Sequence, residues 1–141
     1  FDRITKQYAV SLLTYGESVH IVNGLKLTLV YNSGAAFGIL SEQSGWQRWF
    51  LILASVLAIF GIAIWIILSR KDPLSELMPL ALILGGAIGN LIDRAYSGFV
   101  VDFIHLYYGK WSWPAFNIAD SAITLGVCLL ILRVVRSKSD M

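Results

Sequence analysis

The sequence predicts a membrane α-helical bundle carrying a small β-sheet at one end, and three observations predict it. Of 141 residues, 57% are hydrophobic and 14% charged, with a mean hydropathy of +0.69, outside the mixture of a soluble domain. Residues 49–69, WFLILASVLAIFGIAIWIILS, contain no charge and reach the roughly 20 residues needed to cross a hydrocarbon core. Two further apolar runs, at 77–94 and 117–135, each end in charged residues. With no internal repeat and no low-complexity linker, residues 1–141 read as a single membrane domain.

The chain opens with Phe1 and the polar stretch DRITKQ, so no cleavable signal sequence is visible, and it reads as beginning inside a longer protein. The stretch VHIVNGLKLTLVYNSGAAFGIL has no helical periodicity. Ile21, Leu25, Leu27 and Leu29 alternate with Asn23, Lys26 and Thr28 after a glycine turn, which predicts short strands and a small extracellular sheet within 10–48. The first span, 49–69, stops at RKDP, where Pro73 bars helical continuation. The second, 77–94, is short and ends at Asp93 and Arg94. The third, 117–135, closes with Arg133, Arg136 and Lys138. The positive-inside rule puts Arg70, Lys71 and the cationic tail on the cytoplasmic side. Residues 1–48 and 95–116 then face outward, and Asp93, Arg94, Asp102 and Asp120 all fall near that outer surface. The aromatic loop YYGKWSWPAF reads either as a lid that excludes water or as an interfacial belt.

Composition also excludes functions. A net charge of +2, with Lys and Arg gathered at segment ends, argues against nucleic acid as a partner. The one cysteine, Cys128, excludes an internal disulfide and a CxxC redox or metal site. His105 stands three residues after Asp102, but His20 is the only other histidine, too few ligands for a metal site, so no metal or cofactor is expected. A Ser-His-Asp hydrolase on Ser121 is weaker, because no G-x-S-x-G elbow occurs.

The polar residues in apolar surroundings carry the chemistry. Gly86, Gly89, Asn90 and Asp93 follow helical spacing on one face of the second span, and Gly85 with Gly89 forms a small-xxx-small pair for close helix approach. Asn117, Asp120 and Thr124 share a face of the last span, so the two polar faces should turn toward each other. An ionisable residue in a span costs about 2.5–3.5 kcal/mol on insertion scales, which makes Asp120 a site candidate. Its expected partner is Asp102, in the apolar segment GFVVDFIHLYYG returning from the outside loop. Two carboxylates in a poorly hydrated site share one proton: one takes a proton from water while the other polarises a peptide carbonyl. That is aspartic-peptidase chemistry. Asp93 beside Arg94 reads as an orienting ion pair. Alternatives are helix capping by Asn117 or Asp120, a proton-coupled transporter relaying through Asp93 and Asp120, and a scaffold whose polar stripes only specify helix contacts.

Five blocks, DRITK, YNSGAAFG, GGAIGNLIDR, GFVVDFI and FNIADSAI, resemble in order those of the bacterial lipoprotein (type II) signal peptidases, and the resemblance covers essentially the whole chain. It implies an aspartic endopeptidase of the bacterial inner membrane that removes the signal peptide of prolipoproteins, cutting before a cysteine that carries diacylglycerol. Asp102 and Asp120 match the family's catalytic pair. Asn32, Gly86, Asn90, Asp93, Arg94, Asn117 and Ala119 match its substrate-pocket positions, and Asp2 and Lys6 those that brace the site. The strand region matches its extracellular cradle. The family has four membrane helices, the first ending at the Asp-x-x-x-Lys motif, so the resemblance implies a further helix ahead of this chain. It also implies lipid-modified prolipoproteins and membrane lipids as partners, substrate-mimicking cyclic peptides as inhibitors, and a monomer.

Overall fold

The structure is a computed structural model and describes residues 1–34, 45–71 and 73–139. Residues 35–44 of the region assigned to the cradle, including the end of YNSGAAFG, lie outside the described residues. Among the described residues, three helices are long and apolar enough to cross a membrane: α2 (Trp46–Leu68), α3 (Leu74–Ser97) and α4 (Ile118–Ser139). They match the three expected spans, each start or end moving by a few residues. Pro79 lies inside α3 and not at its boundary.

The N-terminal segment corrects the sequence reading. Asp2–Leu12 forms a helix, α1, that runs three residues into the stretch assigned to the sheet. Its pattern is inverted. Lys6 and Ala9 are buried, whereas Ile4, Tyr8 and Leu12, spaced by four, are 55%, 65% and 77% exposed. A helix that turns its charge inward and its apolar stripe outward does not register as an amphipathic helix of a soluble protein.

The sheet is antiparallel and four-stranded, in the order β1 (Ser18–Val22), β2 (Leu25–Asn32), β3 (Val100–Tyr108), β4 (Trp111–Ser112). β1 and β2 form the expected hairpin about Gly24, whose φ of +92° is open to glycine. The second correction is β3. The segment read only as an apolar return from the loop is the strand that joins the sheet to the helices. Its β-branched and aromatic residues suit a pleated strand buried on both faces near its start, where Val100, Asp102 and Phe103 are all buried.

Two features of the fold position the site. The residues entering α4 run beside β3: Phe116 N–H donates to Ile104 O (2.9 Å), and Ile104 N–H donates back to Phe116 O (2.8 Å). This pairing sets the start of α4 next to Asp102. α3 and α4 cross closely at Gly86, where an added Cβ would lie 2.4 Å from Ala119 O and 2.7 Å from Ile123 Cγ1. Gly126 makes the same approach farther along α4, against Pro79 O at 2.6 Å. The expected Gly85–Gly89 pair is corrected accordingly: nothing lies within 4 Å of a Cβ on Gly85, which faces away from α4.

Candidate active site

Asp120 stands in the first turn of α4. Asn117, just before the helix, accepts the Asp120 N–H on Oδ1 (2.9 Å), and Asp120 Oδ2 accepts the Asn117 N–H (3.2 Å). This is a reciprocal capping box. Capping and site membership are therefore not alternatives, because the second carboxylate oxygen, Oδ1, points elsewhere and accepts from Asn90 Nδ2 at 2.7 Å. The helix start is held from a second direction by Asp2, whose Oδ1 accepts the Ala119 N–H at 2.9 Å.

Asp102 comes from β3, where it pairs across the ladder with Val30. It is 2% exposed. Asn117 Nδ2 donates to its Oδ1 (2.7 Å), and Asn32 Nδ2, diagonal to it on β2, donates to its Oδ2 (3.0 Å). Burial pushes the Asp102 carboxyl up to about 6, the nearby charge of Asp120 adds to the rise, and the Asn32 and Asn117 amides and Lys6 oppose it.

The three asparagines are each oriented by one partner that admits a single choice. Lys6 Nζ can only donate, so the Asn90 atom 2.9 Å away is Oδ1 and its amide nitrogen must face Asp120. The Gly34 N–H fixes Asn32 Oδ1 at 3.0 Å, and the Asp120 N–H fixes Asn117 Oδ1. Lys6, 3% exposed, uses its remaining donors on Asp2 Oδ2 (2.8 Å) and Asp93 Oδ2 (2.7 Å). One ammonium thus compensates two carboxylates, the buried Asp93 and the half-buried Asp2, and orients the amide that reaches Asp120.

The predicted residues divide in two. Asp102, Asp120, Asn32, Asn90 and Arg94 line a cavity of about 1120 Å³ that continues along α4 as far as Cys128. Gly86, Asp93, Asn117 and Ala119, assigned to the substrate pocket, do not line it. Gly86 and Ala119 form the helix crossing, Asn117 is fully buried behind the carboxylates, and Asp93 belongs to the Lys6 cluster. The expected Asp93–Arg94 pairing is corrected as well. Consecutive helical residues point about 100° apart; Asp93 meets Lys6, and Arg94 Nη2 donates to Gly34 O at 3.0 Å. Between Asp93 and Asp120 the contacts run through Lys6 Nζ and the Asn90 amide.

His105 also lines the cavity, with Nε2 2.5 Å from Ser112 Oγ. Burial, with Lys26 nearby, holds its pKa below the usual imidazole value. No group of three or more His, Cys, Asp or Glu side chains among the described residues is arranged to hold a metal. Of the aromatic loop, Trp113 and Phe116 face the cavity, whereas Tyr108 and Trp111 are exposed. Sequence reasoning did not find the Gly34 carbonyl that holds Arg94; the Asn-Ser-Gly turn at 32–34 was its only local signal.

Asp102, buried, and Asp120, half-buried, thus stand on one cavity wall beside the apolar spans. The profile of the family described as signal peptidase (SPase) II matches residues 1–136. The chain belongs to the signal peptidase II family. Among its relatives, the lipoprotein signal peptidase of Azoarcus sp. (strain BH72) is 45% identical over 139 residues, covering 96% of this chain and 77% of that protein. That of Janthinobacterium sp. (strain Marseille) is 48% identical over 133 residues, covering 92% and 78%. A solved bacterial membrane enzyme, determined by the in meso method at 2.3 Å, superposes with a TM-score of 0.87 at 34% identity, covering 99% of this chain and 84% of that one. As a signal peptidase II homologue, the protein is a membrane peptidase.

Proposed function

We propose that this peptidase removes the signal peptide from diacylglyceryl-modified prolipoproteins, cutting on the N-terminal side of the lipidated cysteine, with Asp102 and Asp120 as the catalytic pair. The observation that carries the reading is the Asn117 bridge: its amide donates to Asp102 Oδ1, and its backbone N–H and Oδ1 pair with Asp120. One residue thus ties the two carboxylates together on the cavity wall.

The chemistry follows from their different surroundings. Burial favours the protonated form of Asp102. Asp120 takes a proton from a water molecule as that water attacks the scissile carbonyl carbon, and Asp102 gives its proton to the carbonyl oxygen. The tetrahedral gem-diol then collapses. The C–N bond breaks, the cysteine nitrogen leaves with a proton from Asp120, and Asp102 recovers the proton of the diol hydroxyl. Arg94, aimed into the cavity, is placed to receive substrate carbonyls, as are Asn32 and Asn90. Gly86, Asp93, Asn117 and Ala119 serve by packing and orientation, Asp2 and Lys6 by bracing. The apolar cavity along α4 suits a lipid-bearing peptide that stays in the bilayer. The reading places a monomer in the bacterial inner membrane, its site toward the outer face, and makes substrate-mimicking cyclic peptides candidate inhibitors.

The test is cleavage of a diacylglyceryl-modified prolipoprotein by the full chain in lipid, compared with Asp102→Asn and Asp120→Asn and with thermal melts of each. Loss of turnover by about three orders of magnitude or more in both folded variants is expected. Near-normal cutting by either folded variant removes the dyad.

A further inference from the structure

Arg48 takes part in none of the groups described so far. It lies in the first turn of α2, a helix whose only buried residue among those described is Gln47. From there its guanidinium reaches the far end of α3. Nε donates to Arg94 O (3.1 Å) and Nη2 to Ala95 O (2.9 Å). These carbonyls belong to the last turn of α3, where a helix has no partners of its own for its C=O groups. The Gly98 N–H, in a left-handed C-cap with φ of +84°, also donates to Arg94 O at 3.1 Å. A Cβ on Gly98 would lie 3.3 Å from Arg48 Nη1, so the guanidinium packs directly against the turn that leads into β3. A cation at this point also complements the helix dipole.

We propose that Arg48 is a positioning residue of the peptidase: its two-pronged hold on the last turn of α3 sets where the Arg94 side chain stands in the cavity. The proposal rests on the peptidase reading above. Arg94 has its carbonyl in the grip of Arg48 and its guanidinium on Gly34 O, so the clamp acts on the backbone from which the cavity arginine projects. Bridging two successive carbonyls calls for a planar fork with diverging N–H groups, which a lysine ammonium does not offer.

The experiment compares wild type, Arg48→Lys, Arg48→Gln, Arg94→Gln and the double variant Arg48→Gln/Arg94→Gln on a diacylglyceryl-modified prolipoprotein peptide, alongside hydrogen exchange of the amides of 95–100. Arg48→Gln is expected to raise KM by about fivefold with kcat within about twofold, and Arg48→Lys to fall between it and wild type. Once Arg94 is gone, the Arg48 change should add less than about twofold to KM. Exchange should quicken at 95–100 and stay unchanged along α4. Multiplying KM effects in the double variant, or unchanged exchange at 95–100, overturn the proposal. If wild type itself does not cut, the peptidase reading fails, and the exchange comparison still decides whether Arg48 holds the turn. If Arg48→Gln does not fold, Arg48→Lys carries the same comparisons.

Discussion

Lys6 shows how one residue governs a site it does not enter. It contacts neither Asp102 nor Asp120, yet it orients Asn90 and neutralises Asp2 and Asp93. Lys6→Met would strand the buried Asp93 and the half-buried Asp2, and breaking such a cluster from one side costs about 3–5 kcal/mol, readable by chemical denaturation in detergent. Retention of wild-type stability would show that the cluster is not charged as drawn. Asp102 predicts a pH dependence of opposite origin. Its carboxyl rises from 3.8 to about 6 on folding, so the folded state holds a proton that the unfolded state has lost. The resulting stabilisation is complete below pH ~4 and disappears as pH rises through about 6, at most about 3 kcal/mol. Between pH 4 and 7 the wild type should therefore lose more stability than Asp102→Asn; parallel pH profiles would contradict the shift. The two aspartates are legible in the sequence because a charge amid apolar residues is conspicuous by its cost. The long-range partners of Lys6 are not, since Asn90 stands 84 positions away and only the fold brings it near.

Glycines separate what periodicity can say about an element from what it cannot. Spacing places Gly85, Gly86 and Gly89 in one motif, but only coordinates tell which of them faces α4. Gly86→Ala would drive a Cβ to 2.4 Å from a backbone oxygen of α4, and backbone cannot swing aside as a side-chain end can. The helices must part, costing about 1–3 kcal/mol or more and pulling Asn90 from Asp120. Gly85→Ala meets nothing and should be neutral or gain up to about 1 kcal/mol from helix propensity. Melting temperatures and cleavage rates of the two variants decide it, and equal losses would refute the crossing. The spans were legible from length and charge alone, and the hairpin at Gly24 from its alternation and its glycine turn. β3 was not, because a strand buried on both faces loses its alternation and reads like any apolar run. Nor was α1, whose inward lysine reverses the usual pattern.

At the scale of the molecule, polarity is turned inside out. Lys6, Asn90, Asp93, Asp102 and Asn117 are buried, whereas α2 shows bulky apolar side chains such as Leu53, Leu57 and Phe60 on its surface. Such a surface is stable in lipid and costly in water, which is why composition alone sufficed to predict a membrane protein. The buried polar groups gather where α3 ends and α4 begins, beside the sheet. The opposite ends of the spans carry Arg70, Lys71, Arg133 and Arg136, all exposed. The positive-inside rule predicts that the sheet and cavity mouth face away from the cytoplasm, as the proposed function requires. Single cysteines test this in a Cys128→Ala background. Tyr108→Cys, at a position 86% exposed on the sheet, should react with a membrane-impermeant maleimide in intact spheroplasts. Leu74→Cys, at an 81% exposed position beside the basic turn, should react only after the membrane is opened. The reverse pattern would put the dyad on the cytoplasmic side, where it would meet precursors before export, and the proposed outward-facing site could not stand.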